Sequence, residues 1–194
     1  MRKIVFDIET KNEFRETGSN DPRSLSISVV GICDVADDSY RAYVEEEFKE
    51  LWPILEKTDL LIGFNSDHFD IPLLNKYYAG DLGKIRSLDL MKEVQKVLGR
   101  RIKLDTLAEA TLGRKKISNG LEAIRWWKQG EVEKVKRYCL EDVALTKELY
   151  DYARSHGHLK YTDSGTGTVK EIPIDASHWE RERGERALTH TLPF

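Results

Sequence analysis

The chain is poor in sulfur, has almost no excess charge, and contains no long apolar run. Only two of its 194 residues are cysteines. Cys33 and Cys139 fall inside stretches of regular periodicity without metal-type spacing, so reduced thiols of a cytoplasmic protein are expected, not a disulfide framework. No stretch approaches the ~20 apolar residues of a membrane span, and "MRKIVFDIE" at the N-terminus is too short an apolar run for a signal peptide. No membrane association is expected. The 31 basic and 34 acidic side chains leave a formal net charge of −3, which argues against a polycation that coats nucleic acid. Nucleic acid stays open as a substrate, because an enzyme holding one chain end needs only a local basic rim and metal ions. There is no internal repeat and no low-complexity block. What is there, 40% apolar and 34% charged residues, suits one soluble domain with a short appendage.

Three consecutive apolar residues, Ile4 to Phe6, mark a central strand covered on both faces. "SISVVGICDV" (26–35) and "YRAYV" (40–44) are further strands joined by the turn residues "ADDS". A helix is expected over 45–57, from Phe48, Leu51, Trp52 and Leu55, with Pro53 kinking it or shifting its start. "DLLIGFN" (59–65) is another buried strand, followed by a helix through "DIPLLNKYY". A short strand near 85–91 leads into a helix to 98, and helices follow near 104–112, 119–128 and 131–154. This order describes a mixed sheet flanked by helices, not a doubly wound dinucleotide-binding pattern. After about residue 155 a hairpin is expected over 158–175, then a charged tail.

Carboxylates recur at three places. Side chains alternate along a strand, so Val5, Asp7 and Glu9 share one face and Ile4, Phe6 and Ile8 the other. Asp7 and Glu9 therefore converge beyond the strand's end, although strand-end solubility explains them as well. "GFNSDHFDIPLL" (63–74) carries Asn65, Asp67, His68 and Asp70. Asp67 and His68 read as loop residues. Asp70 reads either as a helix N-cap or as a half-buried group flanked by Phe69 and Ile71. In "RYCLEDVALTKELY" (137–150), Tyr138 and Asp142 stack on one helical face beside the apolar stripe. A buried salt bridge and a metal site are equal readings of Asp142 alone. Four acids with oxygen ligands, taken together, suit two Mg²⁺ or Mn²⁺ ions about 3.5–4 Å apart, the arrangement that hydrolyses phosphodiesters.

"FDIET", "NSDHFD" and "YCLED" resemble the three motifs of the DEDD-type 3′–5′ exonucleases of the ribonuclease H-like superfamily, in the tyrosine subclass (DEDDy). "SLDLM" and the segment from Asp105 to Lys116 resemble the proofreading exonuclease domain of family B DNA polymerases and its stand-alone relatives. The resemblance covers residues 3 to 154. It implies an α/β ribonuclease H-like fold, with a five-stranded mixed sheet flanked by helices over 1–154 and a C-terminal hairpin and tail over 155–194. It also implies catalytic Asp7, Glu9, Asp70, Tyr138 and Asp142, the four acids holding two Mg²⁺ or Mn²⁺ ions. Tyr138 would orient the attacking water, and Asn65 would contact substrate. With Asn65, the candidate substrate-binding residues are Thr10, Phe64 and Tyr77. The implied activity is 3′–5′ hydrolysis of a single-stranded DNA end to nucleoside 5′-monophosphates, with a polymerase or helicase as partner in trans. An exoribonuclease and a non-catalytic nucleic-acid-binding module are the competing readings. The basic clusters "GRRIK" (99–103) and "GRKK" (113–116) read equally as phosphate contacts or solvated surface. Of Trp126 and Trp127, at most one is expected on the core face. The hairpin reads as a lid, a docking edge or a sheet extension.

Overall fold

The computed structural model describes residues 1–114 and 120–181. Strand β1 (Lys3–Thr10) lies at the centre of a five-stranded sheet. A short helix α1 (Phe14–Thr17) leads to β2 (Ile27–Asp34), which pairs antiparallel with β1, and then to the edge strand β3 (Ser39–Tyr43). Helix α2 (Phe48–Glu56) returns the chain to β4 (Leu60–Gly63), parallel to β1 on its other side. Helix α3 (Asp70–Asn75) precedes β5 (Arg86–Asp89), parallel to β4. The strand order is thus β3-β2-β1-β4-β5, the mixed sheet that was expected. Helices α4 (Leu90–Leu98), α5 (Leu104–Leu112), α6 (Gly120–Lys128) and α7 (Val132–His156) follow, then a separate two-stranded sheet of β6 (His158–Thr162) and β7 (Val169–Pro173).

The alternation along β1 sorts the core into two layers. Ile4, Phe6 and Ile8 pack with Leu51 and Leu55 of α2 and with Leu73 and Leu74 of α3. Val5, on the opposite face, packs with Val94, Leu107, Val143 and Leu149 from α4, α5 and α7. Asp7 and Glu9 follow Val5 and so emerge on the α7 side. Pro53 sits inside α2, where its missing N–H removes one helical bond without ending the helix.

Helix α7 approaches the sheet closely because Gly31 has no side chain. A Cβ there would lie 2.8 Å from Cys139 Sγ and 3.1 Å from Val143 Cγ2. Gly31 stands directly opposite Asp7 in the β1–β2 register. The glycine thereby lets the helix carrying Tyr138 and Asp142 settle beside the strand carrying Asp7 and Glu9.

The expected boundary at 155 marks no break in packing. Leu159, Tyr161, Ile172, Ile174 and Trp179 share one apolar cluster with Val5, Leu107 and Tyr150. Trp179 is buried and stacks on Tyr150, with centroids 5.7 Å apart. Arg86 donates to the carbonyls of His178, Trp179 and Arg181. Of the three readings of the hairpin, extension of the main sheet is incorrect, because β6 pairs only with β7 among the described residues. Its outer edge instead meets Thr111, whose hydroxyl accepts from the Lys160 N–H and donates to the Lys160 carbonyl. Residues 182–194 of the expected tail lie outside the described residues.

Candidate active site

Asp7, Glu9 and Asp142 each bring one carboxylate oxygen within 4.8 Å of the other two. Two come from the end of β1 and the third from α7, so three like charges meet at a junction of rigid elements. Glu9 is 8% exposed and Asp142 5%. Such a set of hard oxygen donors fits a divalent cation of the Mg²⁺ or Mn²⁺ type, and the absence of His and Cys from it fits zinc poorly. The register of β1 shifts at Glu9/Thr10, an irregularity of the kind that re-aims side chains at the end of a strand.

Asp70 stands at the start of α3 as its first helical residue, with Phe69 in the N-cap position, so the N-cap reading is incorrect. It is 4% exposed and lines the same cleft, of about 330 Å³, as Asp7, Glu9, Thr10, Tyr138 and Asp142. Its carboxyl is not part of the three-way group. Burial pushes its pKa above the usual carboxylate range, and the charge of Asp89 adds to this; hydrogen bonds from its own N–H and that of Ile8 act in the opposite direction.

Tyr138 is buried and packs in a T-shaped pair with Trp126, with ring centroids 6.0 Å apart. Burial first, then the charges of Asp142, Glu9, Asp7 and Asp105, hold its phenol pKa above the usual value. It therefore stays a neutral O–H at physiological pH, suited to donating a hydrogen bond. Next to it, the Cys139 thiol donates to the Asp7 carbonyl at 3.4 Å. Burial and the charges of Asp7, Glu9 and Asp142 raise the pKa of that thiol too.

Phe64 and Asn65 line this cleft and also a second one of about 450 Å³, which shares Asp7 and Asp142. Arg101, Lys103 and Asp105 line the second cleft, and Arg101 donates to Asn65 Oδ1. The cluster at 99–103 therefore divides. Arg101 and Lys103 face the acids, whereas Arg100 lies over the Tyr161 ring of the hairpin, 5.3 Å from its centroid. In the other basic cluster, Arg114 pairs with Glu148, and Lys115 and Lys116 lie outside the described residues.

Two expectations need correction. Tyr77 does not line either cleft. Its hydroxyl accepts from the Ile27 N–H at 3.0 Å and its ring packs edge-on against Phe48. A tyrosine near the motif in sequence is carried to the opposite layer of the core by the turn of α3. The tryptophans also differ from the reading that at most one faces the core. Both are half-buried against the same small cluster, Trp126 through Tyr138 and Trp127 beneath Lys11.

Asp89 is the buried acid to which the sequence reading gave no role. It is 3% exposed and accepts from the backbone N–H groups of Asn65, Asp67, Met91 and Lys92. An aspartate just ahead of an apolar helical run is the available signal, and it announces only the cap.

A family model for the RNase H superfamily matches residues 4–154. Comparison with curated proteins gives no match. Among solved structures, the fold is similar to that of the family B DNA polymerase from the hyperthermophilic archaeon Pyrobaculum calidifontis, with a TM-score of 0.62 and 21% identity. That likeness covers 79% of this chain and 24% of the polymerase chain, so the chain corresponds to about a quarter of its neighbour's length. With a central five-stranded mixed sheet, helices on both faces and a family match over three-quarters of its length, the chain belongs to the RNase H superfamily.

Proposed function

We propose that the protein is a metal-dependent 3′–5′ exonuclease of the DEDDy type, acting on the 3′ end of single-stranded DNA and releasing nucleoside 5′-monophosphates. The observation that carries this reading is the convergence of Asp7, Glu9 and Asp142 within 4.8 Å, beside buried Asp70 and a neutral Tyr138. Three carboxylates that bring their oxygens this close form a hard-donor set suited to a pair of divalent cations. Asp7, Glu9 and Asp142 would hold the cations, with Asp70 completing the set from α3.

Bound Mg²⁺ or Mn²⁺ would supply an activated water and neutralise charge on the phosphate undergoing in-line displacement. The remaining work falls to the chain. Tyr138 donates its phenolic hydrogen bond to orient the attacking water, since a phenol held protonated is no base. Asn65 and Phe64 stand between the two clefts, where an amide and an aromatic ring can seat the terminal nucleotide, and Thr10 borders the same cleft. Arg101 and Lys103 supply the local positive rim that the net charge of the chain does not.

The test is digestion of 3′-labelled and 5′-labelled single strands of matched DNA and RNA with Mg²⁺ or Mn²⁺. The expected result is stepwise release of nucleoside 5′-monophosphates from the 3′ end, faster for DNA. Persistence of activity in EDTA would sink the metal mechanism. A faster RNA reaction would reassign the substrate, and tight binding without turnover would reassign the protein as a binding module.

A further inference from the structure

The loop of residues 64–69 begins with Phe64 and Asn65 in the clefts and ends by delivering Asp70. Within it, the N–H groups of His68 and Phe69 donate to the Asn65 carbonyl at 3.3 and 3.1 Å. Asn65 adopts a left-handed backbone with φ of 66°, a conformation that asparagine tolerates but does not prefer. The loop is fastened from outside, at the junction of β5 and α4. Asp67 accepts from Ser87 Oγ at 2.5 Å and from Lys92 Nζ at 2.6 Å. Asp89 reaches the loop backbone. Its Oδ1 accepts from the Asn65 N–H at 2.8 Å and its Oδ2 from the Asp67 N–H at 3.3 Å.

Capping α4 explains only half of these contacts. The cap is the bond from Oδ1 to the Met91 N–H at 3.0 Å, with a longer one to Lys92, and a serine in the N-cap position does this as well as an aspartate. The bonds to Asn65 and Asp67 cross 24 and 22 residues of sequence and require both carboxylate oxygens at the length of an aspartate side chain. A carboxylate this buried is costly unless its lone pairs are occupied, and here the loop occupies two of them.

We propose that Asp89 is a positioning residue of the site, its carboxylate holding the Asn65–Asp67 backbone and thereby setting the places of the Asn65 side chain and of Asp70. This rests on the exonuclease reading above for its consequence, and on the hydrogen bonds alone for its geometry. Asp89 lines neither cleft; it reaches the site through the loop backbone, beside the direct effect of its charge on Asp70, and amide exchange at Asn65 and Asp67 reads the loop contribution by itself.

Two substitutions separate the cap from the clamp. Asp89→Ser keeps a cap for α4, and its hydroxyl is too short to span to Asn65 and Asp67. Asp89→Asn keeps one oxygen for Asn65 and Met91 and puts an amide opposite the Asp67 N–H. The readouts are amide hydrogen exchange at Asn65 and Asp67, kcat and KM on a single-stranded oligonucleotide, and the Mg²⁺ concentration for half-maximal rate. Asp89→Ser is expected to speed exchange at both amides at least about tenfold and to lower kcat roughly 10–100-fold while raising the Mg²⁺ requirement. Asp89→Asn is expected to speed exchange at Asp67 alone and to lie between wild type and Asp89→Ser in kcat. Ile172→Val, a buried change in the hairpin, serves as the control for stability loss and should leave kcat unchanged.

Wild-type exchange at Asn65 and Asp67 in a folded Asp89→Ser variant would overturn the proposal. A fall in kcat no greater than that of Ile172→Val would do the same. Should Asp89→Ser fail to fold, Asp89→Asn decides: faster exchange at Asp67 with lower kcat supports the clamp, and wild-type behaviour in both overturns it. If the wild-type chain cleaves no nucleic acid in Mg²⁺ or Mn²⁺, the exonuclease reading fails, and exchange at the two amides still decides whether Asp89 clamps the loop.

Discussion

Asp7 and Tyr138 separate the two parts of the proposed chemistry, charge neutralisation and water orientation. Asp7→Asn keeps the shape of the strand end and removes one of three converging charges. The variant should still melt cooperatively in EDTA and should gain less in melting temperature from Mg²⁺ than wild type, because one ligand charge is lost. Its exonuclease rate should fall by roughly 10²–10³ or more. Thermal melting and digestion of a 3′-labelled strand measure the two effects independently. Tyr138→Phe should slow turnover roughly 10–100-fold, the scale of losing an orienting contact, without changing the shape of the pH–rate profile. A phenol is a poor base near neutral pH, so no basic limb is expected from it. A limb that vanishes in the phenylalanine variant would make Tyr138 a base. These residues were readable because strand alternation and the i,i+4 rule place them without help from the rest of the chain. Tyr77 and Asp89 were not, since their partners stand 50 and 24 residues away and local spacing carries no trace of them.

Among the elements, α7 carries the greatest share of the site, and its seat depends on a glycine. Gly31→Ala places a methyl group 2.8 Å from Cys139 Sγ, 3.1 Å from Val143 and 3.3 Å from Leu140, all on α7. None of these is the far end of a long flexible side chain, so the helix must move. Overpacking of this kind costs typically about 1–3 kcal/mol. The expected outcome is a lower denaturation midpoint together with a loss of activity larger than the stability change accounts for. The shift displaces Asp142 and Tyr138 from Asp7 and Glu9. Chemical denaturation and kcat on one preparation test it, and an active, equally stable variant would show that α7 needs no such seat. The sequence announced the strand and the helix but not their approach. A glycine within "SVVGICDV" is compatible with any close neighbour, and which neighbour it meets is decided by topology.

For the molecule as a whole, two buried carboxyls and one shared core set the response to pH and to truncation. Burial raises the pKa of both Asp70 and Asp89 above that of the unfolded chain. The folded state then holds protons that the unfolded state has already lost, so stability falls as pH rises from the ordinary carboxylate range through the raised values. Mg²⁺ or Mn²⁺ should oppose this, raising the melting temperature more at higher pH, because the ion needs ionised ligands. Melting curves across pH in EDTA and in metal would read both slopes, and a metal-independent slope would count against the site. The apolar residues of the hairpin could be read as strands in the sequence, but the surface they cover could not, because nothing local to them names Val5 or Leu107 as partners. A chain ending at residue 157 would lose Leu159, Tyr161, Ile172, Ile174 and Trp179 from the main cluster. Each large apolar side chain contributes roughly 1.5–3 kcal/mol when fully buried. Removing five therefore takes away about as much as the whole net stability of a domain, roughly 5–15 kcal/mol. The shortened chain should show no cooperative thermal transition, and Trp179→Ala in the full chain should cost about 3–5 kcal/mol. A sharp transition and retained nuclease activity in the 157-residue chain would instead make the hairpin a true appendage.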